Sequence, residues 1–330
     1  MTTFQDIQSH LKENTSTWLV TGVAGFIGSH LAESLLSYNQ TVIGLDNLSS
    51  GKQENLETFK DHPNFTFIEG DIRNFETCLK TTKAVDYVLH HAAIGSVTKS
   101  VEDPILVDQV NNGGCINILF ASAQNQVRHV VYASSSAIYG DAGGNCTRQE
   151  NDLPNPLSPY AAGKCANEYY AQALSNTHNI HTTGLRYFNI YGPRQDPNGA
   201  YAAVIPKWIN QMLVGETIEI YGDGETVRDF CFIEDVVHAN ILAAITGKAK
   251  HAIYNIAAGE GTTLNDLFSD LKDGTAYNQK ANYKDFRPAD IKISRADISQ
   301  IEKDLGFTPK TNLQDGLKMT IAFYKDQTDG

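Results

Sequence analysis

An α/β fold, a parallel sheet covered by helices on both faces, is what this 330-residue sequence predicts. Three observations carry that expectation. The glycine-rich turn Thr21-Gly22-Val23-Ala24-Gly25-Phe26-Ile27-Gly28-Ser29 stands between the apolar run Trp18-Leu19-Val20 and the helical pattern Ala32-Glu33-Ser34-Leu35-Leu36. A second apolar run, Thr41-Val42-Ile43-Gly44-Leu45, ends in an acid, Asp46. Apolar runs and helical patterns then alternate as far as Asn189, as in parallel strands joined by crossover helices. Gly22 lets the chain turn without a Cβ clash, Gly25 lets backbone approach a pyrophosphate, and Gly28 lets the helix pack closely on the strands. Free N–H groups at the helix start receive the anion. An acid roughly 20 residues beyond such a turn is placed to grip an adenosine ribose. The turn therefore reads as a dinucleotide site.

Composition narrows the rest. The chain carries 26 basic and 38 acidic side chains, a formal net charge of −12, with no basic cluster, which argues against nucleic-acid binding. No apolar stretch approaches a membrane span, and the polar residues 1–17 lack the basic-then-apolar order of a secretory signal. A cytoplasmic protein without a membrane partner is expected. Cys78, Cys115, Cys146, Cys165 and Cys231 are scattered, odd in number and without metal-ligand spacing. That predicts reduced thiols and no metal.

The elements follow in order. A short helix over 4–12 leads to the first strand. The polar loop Asn47-Leu48-Ser49-Ser50-Gly51-Lys52 follows the second, where loops line ligand crevices. A third strand, Phe65-Thr66-Phe67-Ile68, precedes Asp71, which reads as a hydrogen-bond partner for adenine and as a helix cap. The fourth, Tyr87-Val88-Leu89-His90, runs into the small-residue turn His91-Ala92-Ala93-Ile94-Gly95-Ser96. His90 and His91 lack a third ligand at useful spacing and read as packing histidines. A helix over 105–123 contains Asn111-Asn112-Gly113-Gly114, which costs helix stability and marks a close contact, with Asn111 able to reach the crevice. A fifth strand, His129-Val130-Val131-Tyr132-Ala133, runs into Ser134-Ser135-Ser136, and a loop to Pro159 opens the next helix. The sixth strand is Ile180 to Leu185. Beyond it, helices are expected over 202–214, 234–245, 263–271, 295–305 and 313–324. Strands are expected at 218–220, 228–233 and 252–256, the last rejoining the sheet. The sequence divides into a dinucleotide-binding domain, 1–190, with a returning strand near 228–256, and a smaller interleaved α/β domain, 191–330, that holds substrate.

Tyr160 and Lys164 are four apart on one helix, hence on one face. A phenol is a poor base near its ordinary pKa of about 10. A nearby ammonium favours the phenolate, and a serine hydroxyl bridges phenol and substrate hydroxyl. Such a set can take a proton while a hydride leaves the same carbon for a nicotinamide.

Thr-Gly-x-x-Gly-Phe-Ile-Gly-Ser at 21–29, the serine run before Ile138-Tyr139-Gly140, Tyr160-x-x-x-Lys164 and Leu185-Arg186-Tyr187-Phe188-Asn189 resemble the extended short-chain dehydrogenase/reductases, over nearly the whole chain. Asn198 to Trp208, Gly222-Asp223-Gly224-Glu225-Thr226, Arg228-Asp229-Phe230-Cys231 and Asp285-Phe286-Arg287 are similar to bacterial UDP-N-acetylglucosamine 4-epimerases. The resemblance implies a Rossmann-type doubly wound parallel sheet, NAD as cofactor and a UDP-sugar substrate. It implies C4 epimerisation for surface polysaccharide precursors in a homodimer joined through the helices at 105–123 and 160–174. Glycines at 113–114, where relatives tend to carry a larger residue, would soften that contact.

By position, the resemblance places Gly22, Gly25, Phe26, Ile27 and Gly28 on the pyrophosphate. Asp46 falls on the adenosine ribose, disfavouring NADP, with Asn47, Ser50 and Gly51 completing that pocket. Asp71 and Ile72 flank adenine. Ala92, Ala93 and Ile94 line the cofactor channel near Asn111, and Tyr187 backs the nicotinamide. Tyr160 becomes base and acid, and Lys164 holds the nicotinamide ribose and tunes Tyr160. The catalytic serine falls on Ser135, with Ser136 as second candidate. Gly95 and Ser96 approach the sugar, and Asn189, Ala203, Lys207, Trp208, Tyr221, Arg228 and Arg287 contact the nucleotide sugar. Sugar dehydratases of the superfamily carry an Asp-Glu pair after Ser/Thr on strand five. Ser135-Ser136-Ala137 offers no such acid. Narrow UDP-galactose epimerases close the pocket around C2 with a tyrosine seven residues beyond the clamp arginine. Ser294 stands there, leaving room for an N-acetyl group, and also reads as a cap for the following helix. A uronic-acid sugar wants a cation near C6, for which Lys99 and Arg194 are candidates. An epimerase preferring UDP-N-acetylglucosaminuronate or UDP-glucose, a UDP-glucuronate decarboxylase, a reductase and a non-enzymatic dinucleotide sensor are the competing readings.

Overall fold

The computed structural model describes residues 4–141, 147–198, 202–286 and 291–328. Arg287, Cys146 and the motif residues at 199–201 lie outside them. The strands in order are β1 (Thr17–Thr21), β2 (Thr41–Asp46), β3 (Phe65–Glu69), β4 (Tyr87–His90), β5 (His129–Ser135) and β6 (His181–Tyr187). Shorter pieces follow: β7 (Asn189–Tyr191), β8 (Glu219–Tyr221), β9 (Val227–Arg228), β10 (Phe230–Phe232), β11 (His251–Ile256), β12 (Thr262–Thr263), β13 (Asn282–Lys284) and β14 (Ile293–Ser294). The main sheet runs β11-β6-β5-β4-β1-β2-β3, parallel throughout. Trp18, Leu19 and Val20 are fully buried, because helices cover both faces. The returning strand takes its expected place beside β6, with Tyr254 opposite Leu185.

Helices α1 (Phe4–Glu13), α2 (Phe26–Ser37) and α3 (Phe75–Thr81) come first. Asp71 does not cap α3. Asn74 does, accepting from Thr77 N at 3.0 Å. The expected helix over 105–123 is three pieces: α5 (Pro104–Asp108) behind the short α4 (Val97–Glu102), a π turn at Gln109–Gly113, and α6 (Gly114–Gln124). Its glycines have different causes. A Cβ on Gly114 would lie 2.4 Å from Ile72 Cδ1, whereas one on Gly113 would meet open space. The catalytic-motif helix α7 spans Pro159–His178, with Ser158 accepting from Ala161 N at 3.2 Å and Pro159 in the first turn.

The remaining helices are α8 (Val204–Leu213), α9 (Ile233–Thr246), α10 (Leu264–Thr275), α11 (Ser299–Leu305) and α12 (Leu313–Thr328). Two expectations fail here for one reason. The strand expected over 228–233 breaks at Asp229, whose buried carboxylate accepts from Ala258 N at 2.8 Å and Ala296 N at 3.2 Å. That bond and the β14–β9 pairing hold 293–296 extended, so α11 begins at Ser299 rather than 295. Ser294 therefore caps no helix. It lies on β14 opposite Arg228.

Candidate active site

Parallel strands send their C-terminal loops to one sheet edge, and the site is built there. The glycine turn is held by contact as well as by φ. Gly22 sits at φ +71°, and a Cβ on Gly28 would lie 2.0 Å from Gly22 O. Asp46, at the end of β2, is tied to the turn: Oδ2 accepts from Ala24 N at 3.0 Å and Oδ1 from Leu48 N at 2.8 Å. A Cβ on Gly51 would lie 3.0 Å from both carboxylate oxygens, so that loop presses directly on the acid.

One crevice brings Gly22, Gly25, Asp46, Asn47, Ser50, Gly51, Asp71, Ile72, Ala92, Ala93 and Ile94 together. Phe26, Ile27 and Gly28 form the first turn of α2 beside it. Asp71 accepts from Arg73 and from Asn47 Nδ2 at 3.0 Å. The Arg73 guanidinium is the main cause of its pKa falling to about 2. Asn111 spends both ends of its amide on one residue, donating to Ile94 O at 3.0 Å and accepting from Ile94 N at 2.8 Å. It pins the loop after β4. His90 packs beneath the crevice, whereas His91 also lines it. The Thr21 hydroxyl lies 2.7 Å from His90 Nδ1, and the Tyr187 hydroxyl 2.9 Å from His91 Nε2. Burial lowers them to about 3 and about 4. No metal-binding cluster occurs among the described residues.

Lys164 is buried on α7 and donates from Nζ to Ala133 O at 2.7 Å. Its ammonium lies 5.8 Å from the Tyr160 ring centroid. One turn further along α7, Glu168 accepts from Ser134 Oγ at 2.6 Å. Two successive residues of β5 are thus bonded to two successive turns of α7. Ser135 Oγ accepts from Ala137 N at 3.1 Å, which leaves its proton to donate.

Behind this junction lies a network that the sequence reading missed. Arg186 grips Glu168 in bidentate fashion at 2.9 and 2.8 Å, both side chains being nearly inaccessible. Removing one partner of such a pair costs about 3–5 kcal/mol. Arg186 also donates to the Tyr139 hydroxyl at 2.8 Å, which donates to Asn255 Oδ1 at 2.6 Å. The available signal was the spacing Tyr160, Lys164, Glu168, one helix face in steps of four.

A second cavity, of about 250 Å³, gathers Ser136, Asn189, Arg228 and Ser294 from separate segments. Arg148, missed in the sequence, also lines it. Other expected sugar contacts lie outside its lining. Trp208 is a core residue, 4% exposed, with its ring edge-on to Phe268. Lys207 is exposed on α8, Ala203 starts that helix, and Tyr221 donates to Glu219 Oε2 at 3.2 Å. Gly95 and Ser96 precede α4, Ser96 Oγ capping it by accepting from Lys99 N at 3.0 Å. Neither proposed cation lines the cavity. Arg194 pairs with Glu33 of α2 at 2.6 Å, and Lys99 stays on α4.

Fold and crevice together define a dinucleotide-dependent α/β enzyme. The family model described as the NAD dependent epimerase/dehydratase family matches residues 18–257, and the chain belongs to that family. The UDP-glucose 4-epimerase of Mycolicibacterium smegmatis is 35% identical, over 94% of this chain and 99% of that protein. The structure of a UDP-N-acetylglucosamine 4-epimerase from Methanobrevibacter ruminantium, in complex with UDP-N-acetylmuramic acid, superposes with a TM-score of 0.91 at 39% identity, covering 95% and 99% of the two chains. That of the Thermus thermophilus UDP-glucose 4-epimerase complex with NAD gives 0.84 at 34% identity, covering 94% and 99%. The chain is thus an NAD-dependent enzyme among the UDP-sugar 4-epimerases. Its crevice fits NAD: Gly22 at φ +71° and the close approach of Gly28 to Gly22 O keep side chains out of the turn, and an acid, Asp46, ends β2 beside it.

Proposed function

We propose that this enzyme interconverts UDP-N-acetylglucosamine and UDP-N-acetylgalactosamine by epimerisation at C4. The observation that carries the reading is the stitched junction of α7 and β5. It bonds the helix that carries Tyr160 and Lys164 to the strand that ends at Ser135, and the next residue, Ser136, lines the cavity that also holds Arg228, Asn189 and Ser294. Bound NAD supplies the acceptor and later the donor of hydride at C4. Tyr160 takes the O4 proton, through Ser135 or directly, and returns it to the product. Lys164 holds the nicotinamide ribose and favours the phenolate. Ser136 steadies the sugar. Tyr187, fixed by His91 and by Asn240 Nδ2 at 2.8 Å, backs the nicotinamide. Arg228, with Arg287, anchors the diphosphate while the 4-keto sugar turns over and presents its other face. Ser294 leaves space at C2 where a tyrosine would fill it.

In this reading residues 1–190 hold the cofactor and 191–330 mainly the nucleotide sugar, and the product feeds surface polysaccharide synthesis in the cytoplasm. We also propose a homodimer. Val97, Val101 and Ile105, at steps of four along α4 and α5, are 45%, 63% and 71% exposed, and Tyr169 and Tyr170 of the neighbouring α7 are exposed too. Such a stripe is suited to a second copy.

Proton NMR of purified protein with UDP-N-acetylglucosamine and no added nicotinamide tests the reading. The galactosamine epimer is expected. Unchanged substrate, in protein carrying NAD, would refute the assignment.

A further inference from the structure

Three adjacent strands place polar residues in one row near the edge of the sheet where the site lies. Ser134 of β5 stands opposite Arg186 of β6, and Arg186 stands opposite Asn255 of β11. Residues opposite one another in a sheet share a face. The two ends of the row are bonded to different parts of the site. Ser134 and Arg186 both donate to Glu168 of the catalytic helix α7. Asn255 donates from Nδ2 to Arg148 O at 3.0 Å and to Asp297 O at 3.2 Å. Arg148 lines the sugar cavity, and so does Ser294, three residues before Asp297.

The Tyr139 hydroxyl joins the two halves of the row. It accepts from Arg186 Nη1 at 2.8 Å and donates to Asn255 Oδ1 at 2.6 Å, which uses its one proton. Burial pushes this phenol up to about 12, so the proton stays on it and Tyr139 is no rival to Tyr160 as base. Glu150 makes a second crossing. Its carbonyl accepts from Arg186 Nη1 at 2.9 Å, and its Oε1 from Asn255 N at 2.8 Å. Ser134, Tyr139, Glu168, Arg186 and Asn255 are all buried, where hydrogen bonds reinforce one another and an orphaned member is costly. Tyr139 also ends the turn that begins at Ser136. One hydroxyl thus meets the serine turn, α7 through Arg186 and Glu168, and the cavity wall through Asn255.

The chemistry gives such a link a task, and this step rests on the epimerase reading. A 4-keto sugar that must turn over cannot be gripped firmly by its ring. Contacts to the ring therefore do not fix the distance from the diphosphate anchor to Tyr160. The protein frame has to fix it, and a misplacement of about 1 Å costs about 100-fold in rate.

We propose that Tyr139 is a positioning residue whose hydroxyl locks the sugar-cavity wall to the helix carrying Tyr160 and Lys164, and so sets the distance over which the O4 proton moves.

The test is Tyr139→Phe, which keeps the ring and deletes the link, in enzyme carrying NAD. The kcat for UDP-N-acetylglucosamine falls by about 10- to 100-fold, while KM stays within about 2-fold and NAD content is unchanged. A role in stability alone lowers Tm and leaves the kcat of the folded enzyme at its wild-type value. That result overturns the proposal, as does a loss confined to KM. Hydrogen exchange gives a readout free of turnover. UDP bound to the wild type slows exchange in segments 148–150 and 294–297 and in α7, and in Tyr139→Phe it slows the two segments alone. An α7 that UDP slows in both proteins, or in neither, overturns the proposal. If the wild type inverts no sugar, the epimerase reading fails separately and the exchange data still decide the link. If Tyr139→Phe does not fold, Asn255→Ser, which cuts the link at its cavity end, is read by the same criteria. Failure of both to fold makes the network purely structural and overturns the proposal.

Discussion

The cofactor crevice is built around the backbone of a glycine turn and the loops that leave β2, β3 and β4, whereas the sugar cavity takes single side chains from five separate segments. In the first, Gly22 and Gly28 are fixed by close approach, and Asp46 is held by two backbone N–H groups of its own neighbourhood. In the second, Ser136, Arg148, Asn189, Arg228 and Ser294 converge because strand pairing and the Asp229 carboxylate draw β9, β14 and the 148–150 segment together. A backbone-built site tolerates almost no substitution at its glycines. A side-chain-built site can change what it binds one residue at a time.

The largest effect should therefore come from the cofactor side. Gly28→Ala puts a methyl within 2.0 Å of Gly22 O. Purified variant should carry no NAD in an acid extract, or fail to accumulate as soluble protein. Full NAD content would break the contrast. Tyr160→Phe should lower kcat by about 10²- to 10⁴-fold while NAD content stays at the wild-type level, since only the proton transfer is lost. Ser294→Tyr sharpens the cavity side. It should lower the kcat/KM ratio of UDP-N-acetylglucosamine to UDP-glucose by about 10- to 100-fold, measured by NMR in mixed-substrate runs. An unmoved ratio would remove Ser294 from the C2 pocket.

The smallest effect concerns pH and falls on the sheet that both sites share. Burial lowers His90 to about 3, His91 to about 4 and His129 to about 3. Below about 6.5 the unfolded chain takes up protons that these folded residues refuse. Stability is thus full above that pH and declines as pH falls toward 4. Asp229, raised to about 6 chiefly by burial, opposes this between about 6 and 4, as do the raised Glu150, Glu234, Asp235 and Asp270, but burial also lowers His30 and His238 to about 4, and the histidines set the sign. Thermal scans should show Tm falling by several degrees from pH 7 to pH 5. A Tm that rises over that interval would contradict this balance.

The same contrast explains what was legible in the sequence. The glycine turn, Asp46 and the Tyr160–Lys164 pair are local patterns with fixed spacing, and each lies where its spacing demands. The main strands were readable because buried parallel strands are continuous apolar runs. Arg148 was unreadable because only its pairing beside Ala296, 148 residues away, carries it into the cavity. Trp208 misled in the other direction. Its motif pointed to the sugar, but the amphipathic face of α8 turns the indole into the core. Ser294 read as a helix cap and lies on a strand instead, since cap and strand residues look alike until the partner strand is known.

The central claim is that C4 is inverted through a 4-keto sugar with Tyr160 moving the O4 proton and with the C4 hydrogen, which NAD would hold in between, never exchanging with water, and isotope retention tests it most directly. UDP-N-acetylglucosamine carrying deuterium at C4 should yield UDP-N-acetylgalactosamine that keeps the deuterium at C4, in ordinary water and without added nicotinamide. Product carrying solvent hydrogen at C4 would mean that C4 is inverted by proton exchange, and would contradict the account.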